Sequence, residues 1–287
     1  FVAMHKGKKY NGETAVRLIL VSPIAYEDLG KRTPGWERRN RELSTYTRVM
    51  NKVSAKADLP FVNLNRPTSD LMEDYSGPKM TGNGVNLNAY GYWCVSRTLA
   101  DALLPGSAPW RLSVDAETHN ATGRGVKVSG VRSVGDGLRF TVQEVSWPSS
   151  GAPVKGNVHR GLVGNRDTLA VRHLAAGEYQ LTVDGKPVAS ASHDQWADGV
   201  ALVGTPAHLA LNTYREAIYD KNINFIYSWK ALNQVHIVGE RRKSRSGQSL
   251  PGELIEFNEI AKQKDKALSA GIALKTREWR LIPVGSK

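Results

Sequence analysis

Residues 81 to 92, TGNGVNLNAYGY, bring together the side chains of the first half of the chain best suited to chemistry. Thr81, Asn83, Asn86 and Asn88 set one hydroxyl and three carboxamides close together, and Gly84 permits a backbone turn closed to most residues. A carboxamide donates and accepts hydrogen bonds but takes no proton near neutral pH, so this set can hold a polar ligand or a turn and cannot serve as a general base. Asn88 suits a helix N-cap, where its oxygen takes an amide proton the first turn leaves unpaired. From Tyr90 onward Trp93, Val95, Leu99, Ala102 and Leu103 follow a helical pattern that Pro105-Gly106 stops, so the stretch is a loop opening a helix.

The elements that position this loop come before it. Val16 and Leu18 to Val21 form an apolar run that predicts a strand buried on both faces of a parallel sheet. Ser22-Pro23-Ile24 closes it, and Glu27, Asp28 and Gly30 read as a solvated turn. Trp36 to Ala57 predicts an amphipathic helix with Leu43, Tyr46, Val49, Met50 and Val53 inward and Arg38, Arg39, Arg41, Arg48 and Lys52 outward. Pro60 to Leu64 is a second short strand, and strand, helix, strand in this order makes a parallel crossover.

The segment from Gly84 to Tyr92 resembles the last conserved block of SGNH (GDSL-type) hydrolases, in the planctomycete-like bacterial form T-x-N-G-I-H-L-N-x-x-G-Y. Thr81, Asn83, Gly84, Leu87, Asn88, Gly91 and Tyr92 match it. The strand ending S-P-I-x-x-E at Ser22 to Glu27 is common in the same family, whose members usually carry aspartate where Asn63 stands. The resemblance implies a flavodoxin-like α/β three-layer sandwich and a serine ester hydrolase. The block's histidine is its general base, and an acid three residues earlier often orients it. Here those positions hold Asn86 and Asn83. The G-D-S block of the nucleophile and the glycine and asparagine oxyanion blocks are not found, so the expectation is an N-terminally truncated hydrolase layer with an inactive remnant site.

Between Trp110 and Gly204 the pattern changes to short alternating runs, 112–114, 126–131, 138–145, 168–173, 179–183 and 187–190, with Asp184-Gly185 as a tight hairpin turn. This predicts a sandwich-like β module. Residues 178 to 200 also resemble the planctomycete-type proteins. His159, His173 and His193 read as lone surface histidines without metal spacing, and Trp147 and Trp196 as buried or sugar-stacking aromatics. The last part turns helical. KNINFIYSWKALNQVHIVGER resembles the family's closing arrangement, which implies that Asn222, Trp229, Asn233 and Arg241 reach the pocket of the complete enzyme. Leu254 to Ala270 is a final amphipathic helix, and the remainder reads as a frayed basic tail.

Composition bounds the rest. The chain has 287 residues, 40% hydrophobic, enough for packed cores. Thirty-nine basic against 27 acidic residues give +12, spread without any nucleic-acid-binding signature, so a basic solvated surface is expected rather than a nucleic-acid partner. The single cysteine, Cys94, excludes an internal disulfide and a cysteine-only metal cage. No apolar run is long enough to span a membrane, and no signal-peptide pattern follows Phe1; the compartment stays open, export being compatible with a signal upstream.

The expectation is a partial hydrolase-like α/β layer over 1–106, a β-sandwich-like module over 107–205, and a helical region over 206–287 packing on the first. The complete relative would cleave small-molecule or carbohydrate O-acyl esters without metal or other cofactor, with Asn88, Asn222, Trp229 and Asn233 toward the substrate. The competing expectation is a glycan-binding or scaffold protein that kept the fold and lost catalysis.

Overall fold

The structure is a computed structural model, and it describes residues 1–10, 12–104, 108–163, 166–229 and 243–285. It is a mixed α/β protein that divides into two compact units, Phe1–Ala108 with Gly151–Asn165, and Pro109–Ser150 with Arg166–Lys287.

In the first unit a short helix α1 (Val2–His5) precedes strand β1 (Leu20–Val21), helix α2 (Trp36–Ala57), strand β2 (Phe61–Val62), and helices α3 (Asn65–Glu73) and α4 (Ala89–Leu103). β1 and β2 pair in parallel, Leu20 opposite Phe61 and Val21 opposite Val62. Ser22 splices the two strand ends, its hydroxyl oxygen taking the N–H groups of Leu64 (2.8 Å) and Asn65 (3.0 Å). The core behind them is built from Ala25, Val62, Leu64, Met72, Met80, Tyr90, Cys94 and Val95. Residues 151–165, with the one-turn helix α5 (Arg160–Val163), add Val158 and Leu162 to it.

Two expectations for this unit are corrected. β1 is not buried on both faces: Ile19 and Val21 are exposed, and among the described residues the sheet has two strands. Helix α2 does not bury the stripe that hydrophobicity selects. Thr47 and Ser54 are its buried residues, whereas Tyr46, Val49 and Val53 stand open. The helix is anchored through polar contacts instead. Asn40 receives the Tyr26 N–H (2.7 Å) and donates to the Tyr26 carbonyl (2.9 Å), and Ser54 donates to the Leu59 carbonyl.

The second unit packs two sheets on one core. One sheet runs β10-β7-β3-β4, from Val200–Ala201, Thr168–Arg172, Arg111–Asp115 and Ala121–Arg124; the other runs β5-β6-β11-β8-β9, from Val126–Val134, Gly137–Glu144, Arg277–Pro283, Glu178–Val183 and Lys186–Ser192. Trp110, Leu112 and Leu169 meet Phe140, Leu181, Trp279 and Leu281 between them. Asp184 and Gly185 turn the β8–β9 hairpin with positive φ at both positions, as the sequence predicts. Trp196 on helix α6 (His193–Asp198) is fully buried and donates to the Tyr179 carbonyl, so it belongs to the core and to no exposed stacking face.

Helices α7 (Pro206–Trp229) and α8 (Arg245–Leu268) lie antiparallel, as the pairings Tyr214 with Leu268, Asp220 with Lys264 and Tyr227 with Phe257 require. They belong to this unit by contact, not to the first. The basic tail is corrected as well: residues 277–283 form β11, hydrogen-bonded between β6 and β8, with Trp279 and Leu281 pointing into the core. Their alternation with Arg280 and Ile282 is the period of a strand, masked in the sequence by the surrounding charges.

Candidate functional site

The loop between α3 and α4 is a miniature hairpin. Thr81 bridges Leu87, Gly82 N–H donates to the Asn86 carbonyl (3.0 Å), and Asn88 N–H donates to the Met80 carbonyl (2.9 Å). Its tip is an Asx turn, in which the Asn83 side-chain oxygen accepts from Val85 N–H (3.2 Å) and Asn86 N–H (2.8 Å). Asn88 caps α4 as predicted, accepting from Gly91 N–H (2.9 Å) while its amide donates to the Lys79 carbonyl (2.8 Å). Both ends of that side chain are therefore occupied within the fold. The Asn86 side chain is exposed and has no hydrogen-bond partner among the described residues.

Glu27 fastens this loop to the segment that leaves β1. It is 1% exposed, which corrects the solvated turn expected there. Its carboxylate accepts Met80 N–H (2.9 Å), Thr81 N–H (2.7 Å) and the Thr81 hydroxyl (2.6 Å), and its own N–H donates to the Gly84 carbonyl (3.0 Å). A buried carboxylate is tolerable only when its lone pairs are met in this way. The two glycines of the motif have equally local reasons. Gly84 has φ +88°, and a Cβ there would sit 2.8 Å from Thr33 Cγ2 and 2.9 Å from the Tyr26 ring; at Gly91 a Cβ would lie 2.1 Å from the Met80 carbonyl oxygen.

Beside the loop a cavity of about 480 Å³ opens at the carboxyl end of β1, with Pro23, Tyr26, Leu43, Tyr46 and Val85 among its walls and Arg38, Arg39 and Glu42 at its charged side. The Arg39 guanidinium stacks 4.8 Å above the Tyr26 ring. Chemically, this corner can hold an apolar or aromatic group against its charged side. Asn86 follows Val85 in the chain but is not one of the cavity's walls, and its carboxamide takes no proton.

Behind the loop, His159 is buried against Gly77 and Tyr90, correcting the expectation of a surface histidine. The Tyr90 hydroxyl accepts the His159 backbone N–H (3.1 Å) and lies 2.7 Å from His159 Nδ1. Burial holds the imidazole below its usual range, against the opposing pull of Asp74 and Glu27. Burial likewise pushes the Cys94 thiol up to about 11, so it is a packing residue and no nucleophile.

Of the other residues singled out in sequence, Asn222 is exposed on α7 and Trp229 ends that helix, both in the second unit, while Asn233 and Arg241 lie outside the described residues. His173 is a half-exposed partner of Asp115 (3.0 Å), and Trp147 stacks edge-on with Tyr214. Among the described residues no three His, Cys, Asp or Glu side chains are arranged to hold a metal ion, and no helix is long and apolar enough to cross a membrane. Sequence reasoning missed Glu27 and the Tyr90–His159 pair. The only sequence signal for Glu27 was its place five residues after Ser22 in the S-P-I-x-x-E pattern, and the pair, 69 residues apart, had none.

Compared with known protein families and with curated proteins, the chain matches none. Among solved structures it is similar to a gut microbial diltiazem-metabolizing enzyme, with a TM-score of 0.67 over 94% of this chain and 73% of that one, at 14% identity. At that identity the likeness establishes a shared α/β fold and no activity.

Proposed function

We propose that the chain is a portion of an SGNH (GDSL-type) ester hydrolase with a flavodoxin-like layer, and that its own site has lost the base. The observation that carries this reading is the fastening of the T-x-N-G-x-x-L-N loop, through Glu27, to the carboxyl end of a parallel strand. Parallel α/β sheets bind their ligands in the crevice outside that end. Among the described residues β1 pairs with β2 alone, and Ile19 and Val21 are exposed, which suits a sheet that further strands and a covering layer complete. The nucleophilic serine then comes from polypeptide outside these residues. A serine attacks the acyl carbonyl, a base takes its proton, and amide donors stabilise the oxyanion. Asn86 stands where that base belongs and can only hydrogen-bond the substrate, and Asn83, spent on its Asx turn, supports the loop instead of orienting a base. The substrate class is a small-molecule or carbohydrate ester, with its apolar part in the cavity beside Tyr26 and Val85. The enzyme in the neighbouring fold acts on a drug, diltiazem, which is in keeping with a small-molecule substrate.

A second reading is a glycan-binding or scaffold protein on the same fold, and the loss of a titratable group at position 86 favours it. Sequencing the coding region upstream of Phe1 separates the two. A G-D-S block behind a strand-like apolar run supports the hydrolase; a coding region without one overturns it in favour of the scaffold.

A further inference from the structure

The second unit contains a buried polar cluster that the proposed ester chemistry does not use. Glu144 ends β6, Thr205 precedes α7, His208 lies in its first turn, and Asp167 precedes β7; all four are at most 3% exposed. Asp167 accepts Trp110 N–H through one oxygen (2.8 Å) and, through the other, Ser149 N–H (2.5 Å), the Ser149 hydroxyl (2.9 Å) and His208 Nε2–H (3.1 Å). The three chain passages between the units fall at 108–109, 150–151 and 165–166, so this carboxylate gathers Trp110, Ser149 and its own segment just inside the second unit at each of them.

The other ring nitrogen fixes the proton count. Thr205 Oγ1 lies 2.7 Å from His208 Nδ1 and 3.2 Å from Glu144 Oε1. A hydroxyl has one hydrogen and cannot give it to both. With His208 Nε2–H committed to Asp167, one contact therefore needs a proton from outside the hydroxyl, carried on Glu144 or on His208 Nδ1. An ionised Glu144 beside a neutral imidazole leaves Thr205 one hydrogen short and sets two buried carboxylates around one ring.

We propose that this cluster is a proton lock, in which a neutral Glu144 carboxyl donates to Thr205, Thr205 donates to His208 Nδ1, and His208 donates to Asp167. The retained proton is what allows the four groups to be buried together, and its loss loosens the unit where α7, β6 and the Trp110 and Ser149 segments converge. Burial acts on Glu144 in the same direction, holding its proton above the ordinary carboxylate range. Asp167 adds to this, while His208, Thr205 and Arg277 on β11 oppose it. The sign of the linkage follows. An acid whose folded-state affinity for the proton is raised stabilises the fold fully below the unfolded carboxylate value, about 4.3, and loses that contribution as pH rises through the folded value.

The test is amide hydrogen exchange at Phe140 and Val142 in β6 of the full chain, wild type against Glu144→Gln, from pH 5 to pH 8, corrected for intrinsic exchange. Glutamine donates to Thr205 permanently and cannot ionise. The expected result is that the protection of the wild type relative to E144Q falls by up to about tenfold per pH unit over part of that range. A ratio independent of pH overturns the lock. The carboxyl carbon resonance of Glu144 in the unaltered protein decides independently of whether the variant folds. The lock requires the protonated position to persist well above pH 4.3, and ionisation at the ordinary carboxylate pH overturns it.

Discussion

Glu27→Gln is the sharpest perturbation of the loop. The carboxylate is 1% exposed and serves three donors, Met80 N–H and both the N–H and hydroxyl of Thr81. Glutamine keeps the volume and one acceptor oxygen and turns the other into an NH₂ group. If its oxygen faces Thr81, Met80 N–H keeps the longer contact to that oxygen (3.1 Å) while its nearer partner becomes a donor; if it faces Met80, both Thr81 donors meet an NH₂ group. Either orientation sets at least one buried backbone donor against another donor, which costs about 1–3 kcal/mol, while Glu27→Ala strands all three and costs on the order of 4–6 kcal/mol. The second figure rivals the whole stability of many domains, so E27A is expected to unfold the first unit. Denaturant unfolding followed by Trp93, which stacks on Tyr90 in the same core, reads the energy, and amide exchange at Met80 and Thr81 locates it. An E27Q protein within about 0.5 kcal/mol of wild type, with unchanged protection at both amides, refutes the account of how the loop is held.

Four further outcomes are expected. Gly91→Ala places a methyl 2.1 Å from the Met80 carbonyl oxygen and lowers stability by about 1–3 kcal/mol or more, read as a lower thermal midpoint. Asn88→Ala removes the α4 cap and costs about 0.5–2 kcal/mol, whereas Asn88→Asp keeps the capping bond but sets an acceptor against the Lys79 carbonyl, so it recovers only part of that loss. The His159 imidazole is held below its usual range, so its share of the first unit's stability is present above about pH 6.5 and lost as pH falls through the lower folded value; an NMR titration of the ring gives the midpoint. The Cys94 thiol, 1% exposed and pushed up to about 11, reacts with an aromatic disulfide reagent at pH 8 far more slowly than free cysteine until denaturant is added.

What the sequence reveals about this fold is mostly local. Asn88 announces the start of α4, Asp184-Gly185 its hairpin, and the alternation in 138–145 the strand β6, because each signal is written within a few adjacent residues. The α2 stripe misled because periodicity reports which side of a helix is apolar and not whether anything covers it, and Tyr46, Val49 and Val53 remain uncovered among the described residues. β11 was hidden because a seven-residue strand carrying Arg277, Glu278 and Arg280 earns its place from partners 139 and 98 residues away, as Arg139 with Glu278 and Thr182 with Arg280 show. The same limit governs the site. The motif glycines and asparagines of the loop were legible, while Glu27, His159 and the Asp167–His208 cluster look like ordinary surface residues until the fold brings their donors together.

In the proposed function the loop is that of a hydrolase, its shape kept and its base lost. The measurement that bears on it most directly is cleavage of a chromogenic acetyl ester by the polypeptide that the whole coding region encodes, compared between Asn86 and Asn86→His. The account predicts background turnover with asparagine and a gain of two or more orders of magnitude with histidine, the range a positioned base supplies. Equal turnover from both, in a protein of unchanged stability, contradicts it and leaves a binding role for this fold.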